Sequence, residues 1–438
     1  MPTALEGPRT GAPTAAVRTT LALLDELFGG AGRSDVAVRL WDGTRWPAAD
    51  RDGEAACTIV FNHPGALRAM LWPPGELSAG EAYLFDDVDI EGDATVAVAL
   101  ADHLLIDRQP DLFERAALAR QLLSLPSESR RSRATGAARL RGRLLSLGRT
   151  AQAVSYHYDR SNDFYALWLG RRMLYTCAYF DRAEDGLDTA QEQKLEYICR
   201  KLRLEPGERL LDIGCGWGGL QIYAAERFGV ESVGITLSAE QARLAEARFR
   251  EAGVADRCRV EVRDYRELEG EEVFDKVVSV GMLEHVRERG LPGYFCVARR
   301  VLRPGGLFLC HGMVRPIDQP PRRGPSFMEA YAFPDGELPR YSVLLAETER
   351  AGFEIRDAEN LREHYELTVR HWLRNIEDNH AGIVRTADEV TYRVWRIYVA
   401  GAVWGFRTNR LRIQQTLLLK PPDDGASGLP LTREDWYA

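Results

Sequence analysis

An apolar strand that runs directly into a glycine-rich turn dictates the architecture of this chain more than any other segment does. Residues 210–219 read Leu-Leu-Asp-Ile-Gly-Cys-Gly-Trp-Gly-Gly, and a helix is predicted to begin at Leu220. Glycines permit the tight turn and let backbone N–H groups approach a ligand at the N-terminus of a helix. A strand, a turn and a helix in this order predict a parallel sheet with crossover helices.

Strands alternate with helices from about residue 190 onward, which predicts an α/β domain with a mostly parallel seven-stranded sheet. The predicted strands are Arg209–Ile213, Ser232–Leu237, Cys258–Val262, Phe274–Val280, Leu307–Cys310, Phe353–Asp357 and Ile413–Leu419, and the predicted helices include Ala239–Ala252 and Tyr294–Leu302. A Pro/Gly-rich insertion at Pro316–Pro325 is interpreted as a lid loop. The aromatic segment His364–Arg407 is predicted to be helical.

Residues before 150 predict a smaller α+β domain, since short strands at Val36–Trp41 and Thr58–Phe61 precede a helix at Val96–Leu105. The stretch from 110 to 150 is predicted to be a helical connector. The domain organisation predicted from these patterns is a disordered tail over 1–20, an N-terminal domain over 21–125, a basic linker over 126–150 and the α/β domain over 151–438.

Composition limits the possible partners and the compartment. A formal net charge of −8 over 438 residues argues against a nucleic-acid binder. Seven dispersed cysteines without metal-ligand spacing predict no metal site and fit a reducing cytoplasm. No apolar run reaches the roughly 18 residues of a membrane span, so any membrane contact is expected to be peripheral. The acid-free stretch Arg130–Arg149 is either a solvated connector or a surface for anionic headgroups.

The residues around the glycine turn distinguish between possible ligands. Asp212 precedes the first glycine, where a carboxylate repels a pyrophosphate but can hold the ammonium of a methionyl group. A dinucleotide site expects an acid about 20 residues further on, at the tip of the next strand. That tip, Ile235–Ser238, contains no acid. A nicotinamide cofactor is therefore disfavoured, and a turn that serves only strand–helix packing remains an alternative.

Several blocks in order resemble the cyclopropane fatty acid synthase family, which includes the mycolic acid cyclopropane synthases. The matching blocks are Asp212–Gly218, Gly234–Ser238 with Gln241, His157–Asp159, Asn162–Tyr165, Tyr175–Phe180, Gly281–Val286, Cys310–Gly312 and His364-Tyr365. The resemblance implies a class I methyltransferase, Rossmann-like fold and S-adenosylmethionine as cofactor. It also implies transfer of a one-carbon unit to the double bond of an unsaturated phospholipid acyl chain.

Further blocks are similar to particular branches of that family. Trp72–Glu76 and Gly80–Tyr83 resemble the lipid-binding-type N-terminal domain of longer bacterial members that act on phospholipids. Arg340–Tyr365 and Arg393–Tyr398 resemble actinobacterial members that make methyl-branched, tuberculostearic-type lipids. The resemblance implies a homo-oligomer, expected to be a dimer, on the inner face of the membrane, and a downstream reductase if the product is a methylene lipid.

The resemblance also assigns site residues. Glu284 is expected to help hold a bicarbonate ion that acts as the base, His311 and Tyr365 to ligate it, and Cys177 to face it through its backbone. On residue type alone, Glu284 could be a surface glutamate and His311 a structural histidine. The expected cofactor contacts are Tyr175, Thr176, Asp212, Gly214, Gly216, Thr236, Leu237, Gln241, Asp264 and Tyr265. Thr236 and Gln241 are expected to replace the missing acid as partners of the ribose and the carboxylate.

Three positions depart from the family pattern, with Arg287 in place of a glycine, Met313 in place of an isoleucine and Thr176 in place of a serine. Arg287 leaves the product open between a cyclopropane and a methylene or methyl-branched chain.

Two other functions remain as alternatives. A C- or N-methyltransferase for a soluble metabolite would not need the four catalytic residues together, and a silent lipid-binding homologue would be expected to have lost one of them.

Overall fold

The computed structural model describes residues 13–28, 35–47, 55–107, 111–130, 137–158, 161–319 and 326–437. These residues form two compact units. The first comprises the described residues up to 137 with 326–332 and 389–404, and the second comprises the described remainder. Most of the predicted tail, residues 131–136 of the predicted linker and residues 320–325 of the predicted lid loop lie outside the described residues.

The first unit contains a four-stranded sheet in the order β2-β1-β3-β4. Its elements are α1 (Ala15–Phe28), β1 (Val36–Arg39), β2 (Arg45–Trp46), β3 (Cys57–Phe61), α2 (Ala66–Leu71), α3 (Glu76–Leu84), β4 (Val88–Gly92), α4 (Ala94–Asp102) and α5 (Leu112–Ser124). β3 alternates buried and half-buried residues, as expected for a strand with one face on a core. Residues 389–404 belong to a helix, Glu389–Arg407, whose buried Arg396 donates hydrogen bonds to the carbonyls of Ile90 and Gly92, both at 2.9 Å.

The second unit contains a seven-stranded sheet in the order β10-β11-β9-β8-β5-β6-β7. The strands are β5 (Arg209–Ile213), β6 (Glu231–Thr236), β7 (Cys258–Val262), β8 (Phe274–Val280), β9 (Leu302–Val314), β10 (Glu354–Asn360) and β11 (Arg412–Leu419). β5 to β9 pair in parallel, and β11 is antiparallel to both β9 and β10. Buried apolar residues run almost continuously along β5, β6 and β8, as a sheet covered on both faces requires.

Helices of the second unit connect these strands. They are α6 (Leu147–Tyr158), α7 (Asn162–Ala166), α8 (Leu187–Leu202), α9 (Gly219–Phe228), α10 (Ala239–Glu251), α11 (Leu283–Val301), α12 (Tyr341–Arg350), α13 (Arg362–Asp378) and α14 (His380–Thr386), and the helix Glu389–Arg407 is numbered α15. Among the residues that the structure describes, no helix combines the length and the apolar character needed to cross a membrane.

The α/β fold and all seven predicted strands of the larger sheet are confirmed, with two differences in detail. β9 begins at Leu302, earlier than predicted, because Leu302 already pairs with Phe274 of β8. An irregularity at Arg303–Gly306 separates this pair from the next one, Lys276 with Leu307. α11 spans Leu283–Val301, so it begins earlier than predicted and contains Pro292, a residue that ordinarily ends a helix, and its backbone is interrupted at Arg287. The continuous helical connector predicted over 110–150 is wrong, since residues 126–130 and 137–146 between α5 and α6 are not helical.

Candidate active site

A cleft opens at the carboxyl ends of β5, β6 and β8 in the second unit. The chain order reverses beside β5, because β6 and β7 extend the sheet on one side and β8 and β9 on the other. Ligands of open α/β sheets bind at such a reversal. The empty space of the cleft, with the solvent at its mouth, is about 1050 Å³. Its walls include every residue predicted from the sequence to bind the cofactor: Tyr175, Thr176, Asp212, Gly214, Gly216, Thr236, Leu237, Gln241, Asp264 and Tyr265.

The glycine turn closes tightly between β5 and α9. Gly214 has φ +87°, and a Cβ atom there would lie 2.4 Å from Cγ of Met282, so a side chain is excluded by conformation and by space. The N–H of Gly214 donates to the carbonyl of Ile235 at 2.9 Å, which ties the turn to β6. α9 begins at Gly219, directly after the turn, so the first N–H groups of that helix adjoin the cleft.

Two buried groups of opposite charge line the cleft beside this turn. Asp212, at the end of β5, is 3% exposed, and Lys194 of α8 is 2% exposed. Burial raises the pKa of the Asp212 carboxyl to about 7, and the nearby Lys194 ammonium limits the rise. Burial lowers the pKa of Lys194 to about 8, and Cys177 and Asp212 oppose the decrease. The Lys194 ammonium donates to the hydroxyl of Thr176 at 3.0 Å.

The far end of the cleft is formed after β6 and β7. The hydroxyl of Thr236 donates to Oε1 of Gln241 at 2.7 Å, so these two side chains act as one unit. Asp264 caps the turn that follows β7, and its carboxylate accepts hydrogen bonds from the Arg266 guanidinium at 2.8 and 2.6 Å. The ring of Tyr265 packs edge-on against Tyr294, with the ring centroids 5.2 Å apart. The Thr236–Gln241 pair and the ring of Tyr265 therefore line a different part of the cleft from the charged Lys194 and Asp212.

Glu284 lies in the first turn of α11, just after the end of β8. One carboxylate oxygen, Oε1, accepts a hydrogen bond from the backbone N–H of Met313 at 2.8 Å. The other oxygen, Oε2, is buried without a partner among the described residues. Burial raises the pKa of the carboxyl to about 7, although the backbone N–H groups of Glu284 and Met313 favour its charged form. Glu284 is therefore not a surface glutamate, and it presents one unsatisfied acceptor.

His311 lies in β9, opposite Val280 at the end of β8. Its Nδ1 is 3.2 Å from the side-chain amide nitrogen of Gln415. Its Nε2 is buried and has no hydrogen-bond partner among the described residues. Burial lowers the pKa of the ring to about 3, and Lys194, Lys201 and His364 add to the decrease. The ring is therefore neutral at physiological pH.

Cys177 and Tyr365 meet at one backbone carbonyl. The Cys177 thiol, which is fully buried, lies 3.9 Å from the carbonyl oxygen of Leu361, and the N–H of Tyr365 donates to the same oxygen at 3.0 Å. Burial raises the pKa of the Cys177 thiol far above its usual range. The ring of Tyr365 packs against Phe406, with centroids 4.5 Å apart. The thiol is therefore held protonated, which excludes a thiolate nucleophile here.

None of the four predicted catalytic residues lines the cleft itself, but Cys177, Glu284 and His311 each lie next to a residue that does, along the chain or across a strand pair. Thr176 precedes Cys177, Met282 and His285 flank Glu284, and Val280 pairs with His311. Lys194 acts electrostatically on both Cys177 and His311. Cys177, Glu284 and His311 therefore lie beside the cleft at the carboxyl edge of the sheet, and Tyr365 is linked to Cys177 through the carbonyl of Leu361.

Lys194 and Gln415 belong to the site although the sequence did not single them out. Lys194 lies seven residues before Lys201 on the apolar face of α8, and both lysines are buried. Lysines at core positions of an amphipathic helix are a signal that could have been used, since lysine is almost never fully buried without a purpose. Gln415 lies within the apolar strand β11 and carries no comparable signal, because its importance comes from pairing with β9.

Arg287 stands where the resembled family has glycine, and its backbone keeps a conformation that glycine favours. It interrupts α11 with φ 63° and ψ 157°, a region costly for any residue with a side chain. Its guanidinium donates to the carbonyl of Asp335 at 2.8 Å and pairs with Glu337 at 2.7 Å. The N–H of Glu337 in turn donates to the carbonyl of Glu284 at 3.2 Å. Asp335 also binds Arg149 of α6 at 2.9 Å.

Comparison with known protein families gives matches over most of the chain. The family model described as mycolic acid cyclopropane synthetase matches residues 146–416. A second family model, described as a domain of unknown function, matches residues 23–102.

Relatives and solved structures agree with this match. A probable fatty acid methyltransferase of Pseudomonas putida is 37% identical over 91% of this chain and 95% of its own length. The cyclopropane-fatty-acyl-phospholipid synthase of Escherichia coli K12 is 35% identical over 61% of this chain and 68% of its own length. A solved structure of mycolic acid cyclopropane synthase CmaA1, complexed with SAH and CTAB, aligns with a TM-score of 0.58 at 29% identity, covering 62% of this chain and 98% of that one.

Proposed function

Because this chain belongs to the mycolic acid cyclopropane synthetase family, we propose that it transfers a one-carbon unit from S-adenosylmethionine to the cis double bond of a phospholipid acyl chain. The chain is an S-adenosylmethionine-dependent methyltransferase with the α/β fold of that class. The proposed product is a cyclopropane ring or a methylene or methyl-branched chain. The names of two relatives, a fatty acid methyltransferase and a synthase for fatty acyl phospholipids, support an acyl-chain substrate.

The cleft suits the proposed cofactor on the chemistry of its walls. S-adenosylmethionine, when bound, supplies a methyl group activated by a sulfonium. Asp212 offers a buried carboxylate for the α-ammonium. The Thr236–Gln241 pair offers a hydroxyl and an amide for the ribose, and the ring of Tyr265 offers an aromatic face for the adenine. The side-chain-free Gly214 lets the ligand approach the backbone of the turn.

Two unsatisfied buried atoms support a bicarbonate ion beside the cleft. Oε2 of Glu284 is an acceptor, and Nε2 of the neutral His311 ring is a donor, because Nδ1 faces the amide nitrogen of Gln415. Bicarbonate carries one hydroxyl donor and anionic acceptors, so it matches both atoms. When bound it supplies a base, and Glu284, with its carboxyl pKa raised to about 7, is suited to take up a proton. Cys177 and Tyr365 complete the proposed shell.

Aromatic rings line the part of the cleft near His285, and they suit a cation that forms during the reaction. Tyr158 and Tyr175 both line the cleft, with ring centroids 6.1 Å apart, and the His285 ring lies 4.5 Å from that of Phe333. Methyl transfer to an alkene leaves a carbocation, which aromatic faces stabilise. Burial lowers the pKa of His285 to about 3, with a contribution from His157, so this ring adds no positive charge.

The observation that carries the proposal is the buried pair of unsatisfied atoms on Glu284 and His311 in a chain of this family. The test is expression in a bacterial host that lacks such lipids, followed by mass and double-bond analysis of its phospholipid fatty acids. A gain of one CH₂ without a residual alkene identifies a ring, and an added carbon with an exocyclic alkene identifies a methylene product. Unchanged lipids together with methylation of a soluble metabolite would refute the proposal.

We further propose that a basic, partly apolar segment of the second unit contacts anionic headgroups. Arg139, Arg141 and Arg143 are exposed, and Leu144 and Leu147 are each 44% exposed beside them. Arginines near an anionic membrane contribute about 1 kcal/mol each, and neighbouring apolar side chains add interfacial binding. Thr150 and Val154 of the adjoining helix α6 line the cleft, so such contact would bring lipid close to the site.

Sedimentation with vesicles tests this contact. The wild-type chain is expected to bind vesicles that contain phosphatidylglycerol more strongly than vesicles of phosphatidylcholine alone. Replacing Arg139, Arg141 and Arg143 by glutamine should remove the difference. Replacing three exposed arginines elsewhere, Arg243, Arg250 and Arg259, serves as the control and should preserve it. Equal binding of both vesicle types by the wild-type chain would overturn the proposal.

A further inference from the structure

Lys194 has an unusual environment for a buried ammonium. It lines the cleft at the end formed by the glycine turn, together with Asp212 and Thr176. Its ammonium donates to the Thr176 hydroxyl at 3.0 Å, and within the described part of the chain it makes no ion pair within 4 Å. An ammonium has three N–H donors, so two of them remain for a ligand. Lys201, buried on the same helix, instead pairs with Asp357 and Glu359, both at 2.7 Å.

Burying these charges opposes folding unless a ligand uses them. Moving an ion out of water costs several kcal/mol, and a direct, well-formed ion pair is normally needed to offset that cost. The Asp212 carboxylate accepts no hydrogen bond from the described residues, so the charges of Lys194 and Asp212 remain available to a ligand in the cleft. A ligand that carries both an anionic and a cationic group close together would satisfy both side chains.

We propose that Lys194 binds the α-carboxylate of the cofactor's methionyl end, with Thr176 beside it, while Asp212 receives the α-ammonium. The inference rests on the proposed use of S-adenosylmethionine. An α-amino acid carries an ammonium and a carboxylate on the same carbon. It therefore offers one group of each charge to Asp212 and Lys194 at this end of the cleft. Lys194 is thereby a cofactor-positioning residue, because anchoring both charged groups fixes where the sulfonium methyl lies.

The other candidates for the carboxylate are less suitable. From the sequence, Thr236 and Gln241 are expected to contribute to binding the carboxylate. These neutral side chains, however, hydrogen-bond each other at 2.7 Å, and they lie at the end of β6 and in the first turn of α10. Arg263 also lines the cleft, yet it is exposed, pairs with Glu261 at 3.3 Å and adjoins Asp264 at the far end. Lys194 is the cation that is both buried and next to the glycine turn.

The test compares S-adenosylhomocysteine with its decarboxylated analogue, S-adenosyl-3-thiopropylamine, by titration calorimetry on the full chain without lipid. The wild-type chain should bind S-adenosylhomocysteine roughly 10- to 100-fold more tightly, the range expected for a hydrogen-bonded charge pair. Lys194→Met should bind the two ligands about equally, because the group that recognises the carboxylate is gone. Lys194→Arg should keep part of the preference.

The matched control is Lys276→Met, which removes another buried lysine, at the amino end of β8 and outside the cleft. It should retain the full preference. Thermal melting establishes that each variant is folded, and Lys194→Gln replaces the methionine variant if that one does not fold.

Each result has one consequence. Equal binding of both ligands by the wild-type chain, or an undiminished preference in Lys194→Met or Lys194→Gln, would overturn the role of Lys194. Failure of the wild-type chain to bind either ligand would instead contradict the proposed cofactor. A chain that shows the preference but alters no lipid would leave Lys194 assigned and refute the acyl-chain substrate.

Discussion

The side-chain amide nitrogen of Gln415 lies 3.2 Å from Nδ1 of His311, across the paired strands β11 and β9. An amide N–H donates, so Nδ1 accepts and the ring proton resides on Nε2. Because burial keeps the ring neutral, Nε2 presents a single buried N–H towards the site. Gln415 therefore sets which nitrogen of His311 is the donor, without touching the reacting atoms.

Gln415→Glu should reduce turnover strongly while leaving cofactor affinity unchanged. A carboxylate at this position can only accept a hydrogen bond, so it favours the tautomer with the proton on Nδ1. Nε2 would then carry no hydrogen and would be an acceptor facing an anion. Loss of an orienting partner of this kind costs roughly 10- to 100-fold in activity. Turnover with an unsaturated phospholipid and the affinity for S-adenosylhomocysteine are the two measurements. Wild-type turnover in Gln415→Glu would show that the tautomer of His311 is irrelevant.

Glu284→Gln should nearly abolish turnover, by roughly 100- to 10,000-fold, the range expected for loss of a general acid–base group. The amide can still accept the hydrogen bond from the N–H of Met313, so the local structure should persist. Binding of S-adenosylhomocysteine should remain, because Glu284 does not line the cleft. Product formation by mass analysis and ligand binding by calorimetry check the two halves of the prediction. Full activity would remove Glu284 from the mechanism.

The same variant should alter how stability depends on pH. The Glu284 carboxyl has its pKa raised from 4.5 to about 7 in the folded chain. Between these two pH values the Glu284 carboxyl binds more protons in the folded state than in the unfolded state. The contribution of this carboxyl to the free energy of unfolding therefore falls as pH rises. Relative to the wild-type chain, Glu284→Gln should gain up to about 3 kcal/mol between pH 4.5 and pH 7. Denaturant melts at pH 5 and pH 8 measure the difference, and a constant offset would contradict it.

Arg287→Gly and Arg287→Ala should separate backbone strain from ionic contacts. Both remove the guanidinium bonds to Asp335 and Glu337. Alanine keeps the cost of φ 63° and ψ 157°, whereas glycine relieves it. The free energy of unfolding should therefore be higher for the glycine variant by about 1 kcal/mol or more. Equal stability of the two variants would mean that the backbone at this position relaxes when the side chain is removed.

The local patterns explain why the fold could be predicted in advance. The β5 strand, the turn at Gly214 and the helix α9 are encoded in consecutive residues, and the predicted cofactor residues follow strand ends in the same way. The prediction of a continuous helix over 110–150 was wrong, because composition alone does not show where a helix ends. The start of β9 at Leu302 depends on its pairing with Phe274 of β8, a distant contact that the local sequence does not show.

The sequence alone determined the α/β class and the family, and it predicted where the cleft of the proposed cofactor lies, because strand ends, glycines and motif blocks are properties of neighbouring residues. Tertiary structure alone decided the electrostatics of the site. Lys194 is a buried cation near Asp212 because α8 packs against α9 and β9, and His311 keeps its proton on Nε2 because β11 pairs with β9. Burial and hydrogen-bond partners arise from contacts between distant segments, and these contacts set the charge and the pKa of each group.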